Sequence, residues 1–162
     1  MSALRDVLGA LGGDHHLLGK LQDGVSIGQF KHVDQDLLES IYALAFNLYQ
    51  AGDYEKARQV FLYLSFHDHT DARFLSGFGA SCFRTGNLEQ AGMVLKSAVE
   101  MDALDPGPAL NLAHTYDALG QPEQARDALL QVMARSAKSS EYKPLAQIAS
   151  NMMDRLAPPA GE

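Results

Sequence analysis

Small and bulky apolar positions recur along this chain at one fixed interval. Glycines stand at Gly52, Gly86 and Gly120, 34 residues apart each time. Five residues after each comes an alanine (Ala57, Ala91, Ala125). Nine after each comes a bulky apolar side chain (Phe61, Leu95, Leu129). A period of this length, with small residues at set phases, is the mark of a helical-hairpin repeat array. The pattern therefore predicts an all-α fold of three tandem hairpins forming a concave solenoid. Such surfaces bind other proteins.

The phase places the units at about 38–71, 72–105 and 106–139. Each reads as helix, tight turn, helix. The turns are QAGDYEKA, RTGNLEQA and ALGQPEQA. Gly52 suits the left-handed residue that closes a helix, and Asp53 suits the cap of the next one. Pro122 falls just inside a helix start, where its missing N–H costs nothing. The alanines five residues on are small because two helices must approach closely there. Between units, HDHTDA and ALDPGP carry stop and start signals. The division expected is an N-terminal helical extension over 1–36, the three repeats over 37–139, a C-terminal capping helix over 140–156 and a disordered tail over 157–162. In the last helix, Leu145, Ile148, Met152 and Leu156 fall at helical spacing. A terminal repeat needs such a cap.

Residues 1–36 do not follow the repeat. Leu4, Val7, Leu8 and Leu11 form a short amphipathic stripe, stopped by Gly12 and Gly13. This extension reads either as a cap or as an oligomerisation element. The expectation carried forward is a homodimer, in the cargo-free state, through that stripe.

The first repeat helix has more apolar surface than one hairpin can cover. At 100° per residue, Ile41, Leu44, Ala45 and Leu48 make a stripe wide enough for the partner helix. Leu38, Tyr42, Phe46 and Tyr49 continue it onto a second arc. Tyr42, Phe46 and Tyr49 must meet something else. They either pack on the N-terminal segment or the next repeat, or they form a partly exposed wall of the concave groove. Aromatic rings are good anchors on such a wall. The equivalent face is Arg73, Ser76, Ala80, Phe83 and Arg84 in the second repeat, and Gly107, Leu110, His114 and Asp117 in the third. Small residues opposite aromatic ones suit an extended peptide better than a folded partner.

Charge and candidate chemistry narrow the picture. The formal net charge is −7 and the 13 basic residues are scattered, which argues against nucleic acid or an acidic membrane as partner. No apolar run is long enough to span a bilayer, and the N-terminus lacks a secretory h-region. The one cysteine, Cys82, sits at a core phase with no paired base. His67 and His69 flank Asp68 in an inter-repeat turn, without the converging ligands a metal needs; His15 and His16 are read the same way. GFGASC at 77–82 lies inside a helix with no preceding strand, so it is no dinucleotide motif. Arg73 and Arg84 read as solvated cations or contacts to acidic cargo flanks. Met93, Met101, Met133, Met152 and Met153 read as packing residues. No catalytic constellation, metal site or cofactor is expected, and hence no enzyme.

The phases resemble the tetratricopeptide repeat. They run Ile41, Leu44, Ala45, Leu48, Gly52, Ala57, Phe61, Leu64 in the first unit. Leu75, Phe78, Gly79, Cys82, Gly86, Ala91, Leu95 and Ala98 follow, then Ala109, Leu112, Ala113, Tyr116, Gly120, Ala125, Leu129 and Val132. A narrower resemblance rests on IYALAFNLYQAGDYEKA, RFLSGFGA and the preceding DGVSIGQF. These look like the class II chaperones of bacterial type III secretion, which hold hydrophobic translocator proteins in the bacterial cytoplasm before export. The third repeat, DPGPALNLAHTYDALG, is closer to a generic repeat. The resemblance implies three repeats plus a C-terminal helix, an N-terminal region often used in dimerisation, and a proline-containing translocator segment held in the groove. Carried over by position, the groove would include Tyr42, Phe46, Tyr49, Ser76, Ala80, Phe83, Leu110 and His114, with Arg73 at its edge. The rival reading is a generic tetratricopeptide scaffold or assembly factor.

Overall fold

Each interval of 34 residues folds as helix, tight turn, helix in a computed structural model that describes residues 35–157. The hairpins are α1 (Gln35–Gln50) with α2 (Tyr54–His67), α3 (Ala72–Arg84) with α4 (Leu88–Met101), and α5 (Gly107–Ala118) with α6 (Pro122–Ser136). A 3₁₀ turn, Ser140–Tyr142, leads into α7 (Lys143–Arg155). There is no strand among the described residues.

The turns form because of their glycines. Gly52, Gly86 and Gly120 have φ of 83°, 80° and 70°, a region closed to most side chains. Each glycine N–H donates to the carbonyl three residues back. The next N–H reaches five back: Asp53 to Leu48 (2.9 Å), Asn87 to Cys82 (2.9 Å), Gln121 to Tyr116 (2.8 Å). These paired bonds satisfy carbonyls that the end of a helix would otherwise leave open. Asp53 then accepts from the Lys56 N–H and caps α2. Pro122 opens α6, as its fixed φ allows.

Each helix packs on the next. Alternate helices also touch on one side only: α1 on α3, α3 on α5, α5 on α7. No comparable contact joins α2 to α4 or α4 to α6. Close inner helices and splayed outer ones curve the array, with α1, α3 and α5 on the concave side. Ala57, Ala91 and Ala125 are fully buried at the crossings, beside Phe61, Leu95 and Leu129. Burying such large side chains contributes about 1.5–3 kcal/mol each.

Two expectations change. The inward stripe of α7 is Leu145, Ala149, Met152 and Leu156; Ile148 stands one step round and is 42% exposed. Met93, Met101 and Met133 do not pack but lie exposed, whereas Met152 is buried and Met153 packs on the core. The stripe Leu4, Val7, Leu8, Leu11, the glycine-bearing turn before α1 and most of the tail lie outside the described residues.

Candidate functional site

The curvature opens a groove of about 310 Å³ on the concave side. One wall is α1, which presents Tyr42, Phe46 and Tyr49. These positions, four and three apart, stack along one helix face. The floor is α3, with Ser76, Gly77 and Ala80, and Phe61 of α2 showing beneath. The far wall is Pro108 and Asn111 of α5, continued by Asp102 and Asp105 of the preceding loop.

Tyr42 meets both fates open to it. Its ring packs edge-on to Phe61 at 6.0 Å and against Phe74 of the next repeat at 5.8 Å. Its remaining face lines the groove, and burial lifts its hydroxyl pKa above the usual range. The Arg73 guanidinium lies 5.0 Å from the Tyr42 centroid, within cation–π range. Arg73 also donates to Asp71 and to Glu39, the latter 34 residues earlier and so at the same phase of the preceding repeat. The hydrogen bonds to Asp71 and Glu39 hold Arg73 charged well beyond its ordinary range, and Arg73 in turn lowers Glu39. All three groups reach solvent, so the network adds little stability. It fixes where the rings stand. Tyr49 leans edge-on to Tyr54 at 5.1 Å, and Arg84 covers Tyr54 at 4.0 Å. Phe46 is different: it is 46% exposed.

The floor is low for a physical reason. A Cβ on Gly77 would fall 2.5 Å from Phe61 Cδ1 and Cζ, so the residue above that ring must be glycine. Glycine, serine and alanine opposite three rings leave space for incoming side chains.

Six of the nine expected positions line this groove: Tyr42, Phe46, Tyr49, Arg73, Ser76 and Ala80. Three do not. Leu110 is 7% exposed and belongs to the core. Phe83 and His114 stack on one another at 6.4 Å further along the inner layer. Burial keeps His114 below the usual imidazole range, against the opposing pull of Asp117. Gly77, Asn111, Pro108 and the two loop aspartates were not foreseen. Asn111 stands 34 residues after Gly77, so the period held that signal. Asp105 reads as helix punctuation within ALDPGP, and Asp102 drew no reading.

Elsewhere the side chains show little chemistry. The Cys82 thiol is buried, touches Gln90 and is pushed up to about 11 by desolvation. It is a thiol, not a thiolate, at neutral pH. His67 packs on Tyr63 at 4.4 Å. Among the described residues no three His, Cys, Asp or Glu side chains converge for a metal, and no helix is long and apolar enough to cross a membrane.

Comparison with known proteins gives this groove a context. Tetratricopeptide repeat models match residues 38–71 and 83–148. The low calcium response locus protein H of Yersinia pestis is 32% identical over 136 residues, covering 84% of this chain and 81% of that protein. The chain belongs to the type III secretion translocator chaperones. Within that family, the crystal structure of PcrH in complex with the chaperone binding region of PopD is 31% identical, with a TM-score of 0.75, over 78% of this chain and 96% of PcrH. The Yersinia enterocolitica chaperone SycD, in complex with a peptide of the translocator YopD, is 32% identical, with a TM-score of 0.72, over 76% of this chain and 94% of SycD.

Proposed function

We propose that this chain is a non-enzymatic chaperone of the bacterial cytoplasm that holds an extended segment of a secreted, hydrophobic translocator in its concave groove. The observation that carries this reading is the groove itself. Three aromatic side chains of α1 stand over a floor of Ser76, Gly77 and Ala80, in a family whose members are seen with translocator segments. Rings supply large contact area at low entropic cost. A small floor admits the side chains of an extended chain.

The mechanism is mass action. A chaperone that binds the extended form depletes the aggregation-prone pool by the ratio of free chaperone to Kd. Within this reading Arg73 orients Tyr42, while Phe83 and His114 extend the inner surface past the cavity. The Leu4, Val7, Leu8, Leu11 stripe joins two copies when cargo is absent, and α7 caps the third repeat.

The test is capture followed by a point substitution. Co-expression with the proteins encoded alongside this chain, pull-down and mass spectrometry should recover a translocator with apolar membrane-seeking segments. Phe46→Ala should then weaken its capture by about 1–3 kcal/mol, the range of an interface anchor. The melting temperature should barely move, because the ring is half exposed. Recovery only of proteins unconnected with secretion would favour a general scaffold instead.

A further inference from the structure

The rim of the groove at the N-terminal ends of α3 and α5 is acidic. Asp102 and Asp105 line the cavity. Asp102 Oδ1 accepts from the Leu104 and Asp105 N–H groups (2.8 and 3.2 Å), and Asp105 Oδ1 accepts from the Gly107 N–H (2.8 Å). Each carboxylate spends one oxygen on the loop. Neither Oδ2 has a hydrogen-bond partner among the described residues. Arg73, the one cation among the described residues of the lining, is already held by Glu39 and Asp71. Behind the loop, Arg135 donates to the carbonyls of Asp102 and Asp105 (2.7 and 2.9 Å), which fixes the loop without engaging either carboxylate. Among the described residues at this rim, the Asp102 and Asp105 carboxylates therefore have no cation paired with them.

We propose that this rim selects the cargo segment by charge: the groove takes an extended peptide carrying a lysine or arginine next to its apolar anchor, and Asp102 and Asp105 receive that cation. The inference rests on the groove being the cargo site. The aliphatic stem of the basic residue lies along Ala72 and Pro108 while its head reaches the unused carboxylate oxygens. An acidic side chain finds no such place. At each helix start an aspartate already holds one of the N–H groups an anion would use, Asp71 that of Arg73 at α3 and Asp105 that of Gly107 at α5.

The probes are the PopD chaperone-binding region and the YopD peptide, fluorescently labelled, with each position replaced in turn by lysine and by glutamate. Binding to the full chain is read by fluorescence polarisation. At one register lysine should bind roughly tenfold tighter than glutamate, equivalent to about 1.4 kcal/mol. That ratio should fall to about twofold or less in Asp102→Asn/Asp105→Asn, because asparagine keeps the Oδ1 acceptor of all three loop bonds and loses only the charge. It should persist in Glu100→Gln/Asp127→Asn, which removes equal charge from a separate hollow lined by α4, α5 and α6. Should the groove variant fail to give a helical melt, raising salt tenfold on the unaltered protein replaces it, since an exposed charge preference must shrink with screening. A ratio near one, a preference for glutamate, or a lysine preference untouched by the groove variant (or by salt, where that replaces it) overturns the charge selection and leaves the groove assignment standing. Absence of binding by every peptide overturns both.

Discussion

Glycine inside a helix normally destabilises it by about 1 kcal/mol relative to alanine, so Gly77→Ala and Gly92→Ala should both stabilise if helix propensity decided the outcome. The surroundings predict opposite signs. At Gly92 in α4 the nearest atom to an added Cβ is Thr115 Cγ2 at 3.8 Å, an ordinary contact. That substitution should raise stability by about 0.5–1 kcal/mol. At Gly77 in α3 the Cβ meets three Phe61 ring carbons, two of them at 2.5 Å. Carbon atoms settle at about 3.5–4.0 Å, so the ring must retreat by about 1 Å. Any retreat disturbs packing: Phe61 is 2% exposed, and Tyr42 stands edge-on against it.

Overpacking of this kind costs about 1–3 kcal/mol. Against a propensity gain of about 1, the net expectation is a loss of up to about 2 kcal/mol, or up to roughly 8 °C in melting temperature for a chain of this size. The assay is thermal unfolding followed by circular dichroism, with the substitution repeated in a Phe61→Leu background. Removing the ring should abolish most of the Gly77→Ala penalty, a coupling expected only of residues in contact. Because Phe61 supports Tyr42, Gly77→Ala should also weaken cargo capture. A Gly77→Ala protein that melts at or above the unaltered one, or that loses as much stability without the Phe61 ring, would refute the reasoning.

Other expectations follow from the same packing. Ala57→Leu, at a fully buried crossing, should cost about 1–3 kcal/mol or more, readable as a lower urea midpoint. Arg135 donates to the carbonyls of Val99, Asp102 and Asp105. Arg135→Ala should therefore cost about 2–3 kcal/mol and loosen amide exchange protection across the α4–α5 loop, with Arg135→Lys recovering part of the loss. Burial holds His114 below its usual value, so the unfolded chain binds the extra proton first as pH falls. Stability should therefore decline from about pH 6.5 downward, and the slope of unfolding free energy against pH should become shallower in His114→Gln.

The repeat was legible because it is written in residues with one structural use. Only glycine readily takes φ near +80° at Gly52 and Gly86. Only a small residue fits where Ala57, Ala91 and Ala125 are fully buried. Residue type misled where phase was the better guide. Met93 shares its phase with Gln59 and Asp127, both polar, and like them it faces outward. Ile148 and Ala149 are both apolar; contact with the preceding helices decided that the smaller one turns inward.

The groove was legible on one wall and hidden on the other, and the difference is physical. Tyr42, Phe46 and Tyr49 declare themselves locally: one hairpin cannot bury so wide an apolar arc, whatever the rest of the chain does. Asp102 and Asp105 declare nothing locally. Asp105 reads only as helix punctuation, and both Oδ1 atoms accept from loop N–H groups. Their second role comes from where the loop is held, and Arg135 holds it from 30 and more residues further along the chain. Leu110 shows the same dependence in reverse. It keeps the phase of Tyr42 and Ser76, yet it is buried in the core, and Asn111 lines the groove in its place. The second repeat lines the groove at two adjacent phases, Ser76 and Gly77, and only the second of them, at Asn111, still does so in the third. The anchoring wall of such a groove can therefore be read from a single helix, whereas the wall that sets its charge is known only once the repeats are stacked.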